Sequence, residues 1–367
     1  MQKLNKYDII TELIGDGIKM GNIEVIGKYN LDDNKWIIGN NDNNDISLAV
    51  ANYESIRNND STKYDYIIYC YGSRVENHSK DAYNIKEKQA YVNNIINYFK
   101  SKNHNIIIKF VMLDKDAPLK EDGIILANYI NNICNRDDCN SVNILGYSKS
   151  GVMFFNMIKY IDINNRGKIN LYDIATPYLG TKMASPKFIY NDIKLFIDRH
   201  IPNKALATNV YSWLIKFYEG ISSNSHMDYD ISLPNGIPDN KLKNYDENLI
   251  KNLMHNDNID AIKSINRFQN FTTGIDDSTL KRALITGNYI GVGMCIINDL
   301  FMNKSSDGFV PLSSEDIIPQ YFDTKNINLK GAHHLFISDN EYYNDVLYQI
   351  NKNLEEDSEK KLLKKHF

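Results

Sequence analysis

Cysteine, proline and tryptophan are scarce in this chain, and each scarcity excludes something. The 367 residues include four cysteines, eight prolines and two tryptophans. The cysteines, Cys70, Cys134, Cys139 and Cys295, form no CxxC pair, so neither a zinc knuckle nor a dithiol redox motif is written here. They are expected to be reduced thiols, although Cys134 and Cys139 in "CNRDDC" lie close enough to bridge under oxidation. No apolar run approaches the roughly 18 residues of a spanning helix. The opening "MQKLNKYDIITELIGDG" lacks a basic segment followed by an apolar core and a cleavage site, and a cytoplasmic location is the expectation. Charge of one sign is also missing. A formal net charge of −4, with no long Lys/Arg stripe, gives no field to recruit nucleic acid. The acidic pairs Asp137/Asp138 and Asp276/Asp277 lack the spaced oxygens of a calcium loop, so neither metal nor cofactor is expected.

What is present is a foldable core: 43% hydrophobic and 24% charged residues suit one large globular domain or two smaller ones. Asn-rich patches such as "NNDNND" (40–45) read as polar turns. Near the N-terminus, "NIEVIGKY" and "NKWIIGN", separated by "NLDDN", suggest a hairpin within residues 1–62. Apolar strands and amphipathic helices then alternate, which predicts an α/β fold with a mostly parallel sheet and helices on its faces. Strands are expected at 64–72, 104–113, 141–147, 168–176, 281–289 and 326–332, and helices at about 84–102, 119–135 and 149–161. From about 181 to 280 the alternation stops, and apolar residues recur at helical spacing, among them Ile193, Phe196 and Ile197, then Val210, Trp213, Leu214 and Phe217, then Ile259 and Ile262. A helical cap inserted at 181–280 into a core made of 1–180 and 281–367 is the domain division this implies. The final charged stretch after Ile350 reads as a solvated helix end.

The chemistry concentrates at "NILGYSKSG" (143–151). An apolar strand runs into Gly146, then Ser148, then Ser150 and Gly151, and a helical pattern follows at once. A serine hydroxyl becomes a useful nucleophile only when geometry exposes it and a base takes its proton. The GxSxG elbow supplies that geometry by letting strand and helix approach closely around a strained serine. Here Ser150 stands where the second glycine is usual.

The segment resembles the nucleophile elbow of the α/β-hydrolase superfamily, and three more stretches are similar to segments of its lipase and esterase members. These are "IATPYLGT" (174–181), "SDGFVPLSS" (306–314) and "KGAHHLFISDNEYYNDVLYQI" (330–350). The resemblance covers about 64–180 and 281–350 and implies an α/β-hydrolase fold with a helical cap and a triad of Ser148, Asp307 and His334, in the chain order of that fold. His333 is the alternative base: the spacing from Gly331 and the apolar Leu335 favour His334, whereas counting back from the last helix favours His333. Asp173 is the second choice for the acid. The resemblance also implies an oxyanion hole from the backbone N–H groups of Lys149 and of the "YCYGSR" loop, where Gly72 and Ser73 are the candidates. Tyr147, Tyr178, Trp213 and Phe217 are candidate substrate contacts. The activity implied is hydrolysis of a small-molecule or lipid acyl ester, with transient contact to a membrane surface allowed. An acyltransferase or thioesterase on the same triad, and a catalytically inactive binding protein of the same shape, are the alternatives.

Overall fold

The computed structural model describes residues 23–30, 35–37, 48–70, 94–95, 97–113, 119–178, 181, 190–191, 193–221, 256–286, 292, 295–296, 299, 306–308, 310, 312–315, 322, 326–332 and 340–365. In chain order its elements are β1 (Ile23–Asn30), β2 (Lys35–Ile37), β3 (Leu48–Ile56), β4 (Tyr64–Cys70), β5 (Ile106–Leu113), α1 (Leu119–Cys134), β6 (Cys139–Tyr147) and α2 (Lys149–Met157). A 3₁₀ turn (Ile158–Tyr160) leads to α3 (Ile163–Arg166), β7 (Ile169–Ile174), α4 (Ile193–His200), α5 (Lys204–Ile221), α6 (Asn256–Ser264) and β8 (Arg267–Gly274). The chain closes with α7 (Asp277–Thr286), α8 (Leu312–Glu315), β9 (Ile327–Lys330) and α9 (Asn340–Lys365).

One nine-stranded sheet runs in the order β2-β1-β3-β5-β4-β6-β7-β8-β9. The six strands from β5 to β9 are parallel, while β1, β2 and β3 pair antiparallel and extend the sheet at one edge. The expected hairpin is therefore part of the main sheet, and it brings a third strand, β3, that the sequence reading did not contain.

Strand side chains alternate between faces, and the two apolar layers follow from that period of two. On β6, Val142 and Ile144 pack with Leu126, Ile130, Val152, Phe155 and Ile262 on one face, whereas Leu145 and Tyr147 pack with Phe99, Tyr172, Val346 and Ile350 on the other. The expected helices at 119–135 and 149–161 are found, and α9 is anchored through buried Val346, Leu347, Ile350 and Leu354 before it runs out as a polar end.

Polar side chains stitch the same strands together. Asn266 donates to Asn170 at 2.7 Å, Asn170 to Asn143 at 2.9 Å, Asn143 to Ser141 Oγ at 3.0 Å, and Ser141 to Asp65 at 2.6 Å. Asn143 and Asn170 have no exposed surface, so this chain of bonds satisfies amides that would be costly to bury alone.

One expected strand is wrong. Residues 281–286 belong to α7 instead of the next strand, 287–289 lie outside the described residues, and the strand beside β7 is β8, inside the segment expected to be cap. The physical reason lies at the start of α7. Asp276 Oδ1 accepts the N–H groups of Ser278 (2.9 Å) and Thr279 (3.2 Å), and Asp276 N–H donates to Thr279 Oγ1 at 3.1 Å, a reciprocal cap that starts a helix. Leu284 and Ile285, which read as strand core, face outward. Helix α6 also packs on the core face through Ala261 and Ile262, followed by Ile265 just past its end. Within 181–280 the helices α4 and α5 occur where the spacing predicted them.

Candidate active site

Ser148 sits between β6 and α2 with φ 55° and ψ −127°, a conformation that L side chains rarely adopt. Three contacts hold the bend. Ser148 N–H donates to Ile174 O at 2.9 Å, Gly151 N–H to Ser148 O at 3.0 Å, and the backbone of Tyr147 is clamped by Ser150. Ser150 Oγ accepts Tyr147 N–H at 2.7 Å and donates to Tyr147 O at 2.8 Å. The departure from GxSxG is thus a built feature, because the hydroxyl ties the turn that glycine would only permit.

Close approach falls on the two remaining glycines. A Cβ on Gly146 would lie 2.7 Å from Gly151 Cα and 2.9 Å from Asp173 Oδ1, and one on Gly151 would fall on the Thr176 side chain, 2.8 Å from Cγ2. One strand over, Ala175 is the second non-glycine residue with positive φ, at 50°. Two strained residues on neighbouring strands at one edge mark where the sheet spends conformational energy. Ser148 makes no side-chain cap to its own helix, and Lys149 begins α2, where helix geometry leaves backbone N–H groups without an intrahelical acceptor. That position suits an oxyanion donor. Gly72 and Ser73, the other expected donors, lie outside the described residues.

Asp307 is buried in the loop before α8. Its Oδ1 accepts Val310 N–H at 2.7 Å, its Oδ2 accepts the Thr273 hydroxyl at 2.8 Å, and Gly308 follows at φ 92°. The loop is tied to β8 through Ile275 N–H to Ser306 O at 3.0 Å. Asp307 thus belongs to the end of β8 and not to a strand at 281–289. Beside it, β9 ends at Lys330 and Gly331 N–H donates to Gly274 O at 2.8 Å. Because these strands are parallel, Ser148 after β6, Asp307 beside β8 and the chain leaving β9 share one sheet edge, with β6 and β8 about 10 Å apart. His333 and His334, next along the chain, lie outside the described residues.

Asp173 lies within β7, wholly buried beneath the elbow, with its Oδ2 accepting the Tyr178 hydroxyl at 2.6 Å. Its Oδ1 has no hydrogen-bond partner among the described residues. Burial pushes its carboxyl well above the usual range, an effect that the bond from the Tyr178 hydroxyl only partly offsets. This environment yields a pH-dependent expectation. A carboxyl whose folded pKa is raised favours the folded state most at low pH and loses that contribution as pH rises above its unfolded value. Asparagine, shaped like the protonated acid, removes the loss. Asp173→Asn is expected to be more stable than the parent at neutral pH, by a margin that widens as the pH rises above the ordinary carboxylate range and closes toward acid. Urea unfolding across pH reads this directly, and a margin independent of pH refutes it.

Tyr147 and Tyr178 are the two expected substrate contacts whose side chains the structure describes. Both are buried in the packed core, Tyr178 edge-to-face on Phe155 at 5.6 Å with its hydroxyl committed to Asp173. The side chains of Trp213 and Phe217 lie outside the described residues, although the helix that carries them, α5, is present. Two residues of this edge were missed from sequence: Thr273, in a strand read as cap, and Glu315, eight positions after Asp307 in a stretch that looks like ordinary polar turn. Cys134, Cys139 and Cys295 are free and buried. No described helix is long and apolar enough to cross a membrane.

No protein-family model matches the sequence, and no curated protein matches it. Among solved structures, the mature form of the lipase BlEst2 from Bacillus licheniformis has a TM-score of 0.51 at 14% identity, over 82% of this chain and 97% of that one. Est1E from Butyrivibrio proteoclasticus (TM-score 0.41, 10% identity, 84% of this chain and 93% of that one) is also similar. So is a Pyrobaculum calidifontis esterase (0.41, 10%, 95% and 89%). The architecture is the α/β-hydrolase fold: a mostly parallel sheet with helices on both faces and a strained serine at the β6–α2 junction.

Proposed function

We propose that this protein is a serine hydrolase that cleaves carboxylic esters through an acyl-serine intermediate. The observation that carries the reading is the backbone of Ser148, strained at φ 55° and held at a strand-to-helix bend. Asp307, fixed by two hydrogen bonds at the same edge, serves as the acid, and His334 or the adjacent His333, which follow β9 by sequence, serves as the base. The imidazole takes the Ser148 proton as Oγ attacks the acyl carbonyl, and then delivers it to the leaving alcohol. Water, deprotonated by the same imidazole, releases the acid and restores the serine. The Lys149 N–H and one from the Gly72–Ser73 loop receive the developing oxyanion. The helical segment that includes α4 and α5, with Trp213 and Phe217, covers the apolar part of the substrate. The fold shared with BlEst2, a lipase, agrees with this choice of substrate class.

A fluorophosphonate probe tests the nucleophile. The folded parent protein is expected to be labelled stoichiometrically and Ser148→Ala not at all, read by intact mass. A folded parent that takes no label, or a label retained by the alanine variant, overturns the assignment, and the first result is the one an inactive binding protein would give. A series of p-nitrophenyl esters of increasing acyl length then ranks substrates.

A further inference from the structure

A second carboxyl lies behind Asp307. Glu315 ends α8, is wholly buried, and meets Thr273 three times: its Oε2 accepts Thr273 N–H at 2.7 Å, and Thr273 Oγ1 lies 3.1 Å from both Oε1 and Oε2. The same Oγ1 is 2.8 Å from Asp307 Oδ2. A threonine hydroxyl carries one proton and cannot donate to two carboxylates at once. Two ionised carboxylates this close and away from water would also repel strongly. One proton resolves both conflicts. With the proton on Glu315 Oε1, that oxygen donates to Thr273 Oγ1, the hydroxyl donates to Asp307 Oδ2, and Asp307 Oδ1 keeps the Val310 N–H. Burial first, and the charge of Asp307 second, push the Glu315 carboxyl well above its usual range. Its backbone carbonyl also accepts Asn270 Nδ2 at 2.8 Å, which pins α8 to β8.

We propose that Glu315 is a positioning residue: as a neutral acid it donates through Thr273 to Asp307, so that the negative charge of this buried pair resides on Asp307 alone and points in a fixed direction. The proposal rests on the reading of Asp307 as the acid of the triad. Among the described residues, the titratable groups that face Glu315 are Asp307 and, from the segment after β7, Tyr178, whose own pKa the Glu315 carboxyl helps to raise.

The test compares pH profiles of kcat and kcat/KM on a p-nitrophenyl ester for the parent, Glu315→Gln and Glu315→Leu. Glutamine repeats both hydrogen bonds, its carbonyl accepting Thr273 N–H and its amide donating to Oγ1. It is expected to keep kcat within about threefold and leave the acid limb where it is. Leucine leaves the Thr273 hydroxyl without its donor. It is expected to lower kcat about ten- to a hundredfold with KM unchanged and to move the acid limb to higher pH, because Asp307 becomes more basic. A group that only fills space would move neither limb. Wild-type kinetics in the leucine variant overturn the proposal, and so does an acid limb lowered by about one unit in the glutamine variant, the mark of an ionised glutamate lost. A second measurement needs no turnover. The infrared difference spectrum of parent minus Glu315→Gln is expected to show the carbonyl stretch of a protonated acid, and an ionised carboxylate band there refutes the proposal. A parent protein with the protonated band that cleaves no ester contradicts the hydrolase reading and leaves the hydrogen-bond assignment standing.

Discussion

Asp307→Asn is expected to lower kcat about ten-thousandfold while KM changes by less than about threefold. Each carboxylate oxygen of the side chain already accepts a hydrogen bond, one from Val310 N–H and one from the Thr273 hydroxyl, so the carboxylate is fixed before substrate arrives. Asparagine fits the same space. In the proposed mechanism it presents a dipole where the imidazolium formed during attack needs a full negative charge, and it can hold the wrong tautomer of the histidine. The loss therefore falls on the chemical step and not on binding. Single-turnover and steady-state assays on a p-nitrophenyl ester check it, with circular dichroism to establish that the variant is folded. A loss of less than tenfold would remove Asp307 from the triad and reopen the choice of acid.

The second large effect is structural. Gly151→Ala places a methyl on the buried Thr176 side chain, within 2.8 Å of Cγ2 and 2.9 Å of Cβ. Thr176 is itself wholly buried and follows Ala175, whose positive φ fixes the local path of the chain, so it has little room to yield. Helix α2 must then move away from β7, which pulls on the strained bend at Ser148. We expect a destabilisation of about 3 kcal/mol or more, at the upper end for overpacking. Urea midpoints of Gly151→Ala, Thr176→Ala and the double variant give the test. Removing Thr176 Oγ1 and Cγ2 relieves the worst contacts, so the double variant is expected to lose less than the sum of the singles. Strict additivity would place the strain elsewhere.

How much of this was legible in the sequence follows from where the polar residues sit. Strands β4, β5, β6 and β7 were readable because most of their buried positions are aliphatic or aromatic, as parallel strands covered on both faces require, with polar exceptions such as Asn143 and Asn170 too few to break the pattern. β8 was not. Its sequence, RFQNFTTG, buries Asn270, Thr272 and Thr273 beside Phe271, because this strand carries the hydroxyl and amide groups that hold Asp307 and Glu315. A strand built to support a buried pair of carboxyls has lost the apolar signature by which strands are recognised. The neighbouring KRALIT has that signature, with Leu284 and Ile285 on the outer side of a helix, and the Asp276–Thr279 cap that identifies the helix lay unread in DDST. The strand-to-helix bend at Ser148 was legible from motif spacing, whereas Glu315 was not, since no local pattern separates a wholly buried glutamate from a solvated one.

The bonded chain from Asn266 through Asn170, Asn143 and Ser141 to Asp65 has a consequence for folding fidelity. Sliding β7 by one residue against β6 would turn every one of its side chains to the opposite layer and strand several amides in hydrocarbon at once. Parallel sheets assemble slowly from distant segments and are prone to mispairing on the way. Here a misaligned intermediate is penalised at the far end of the strands, away from the elbow, and the edge where Ser148 emerges inherits its alignment from asparagines that take no part in chemistry.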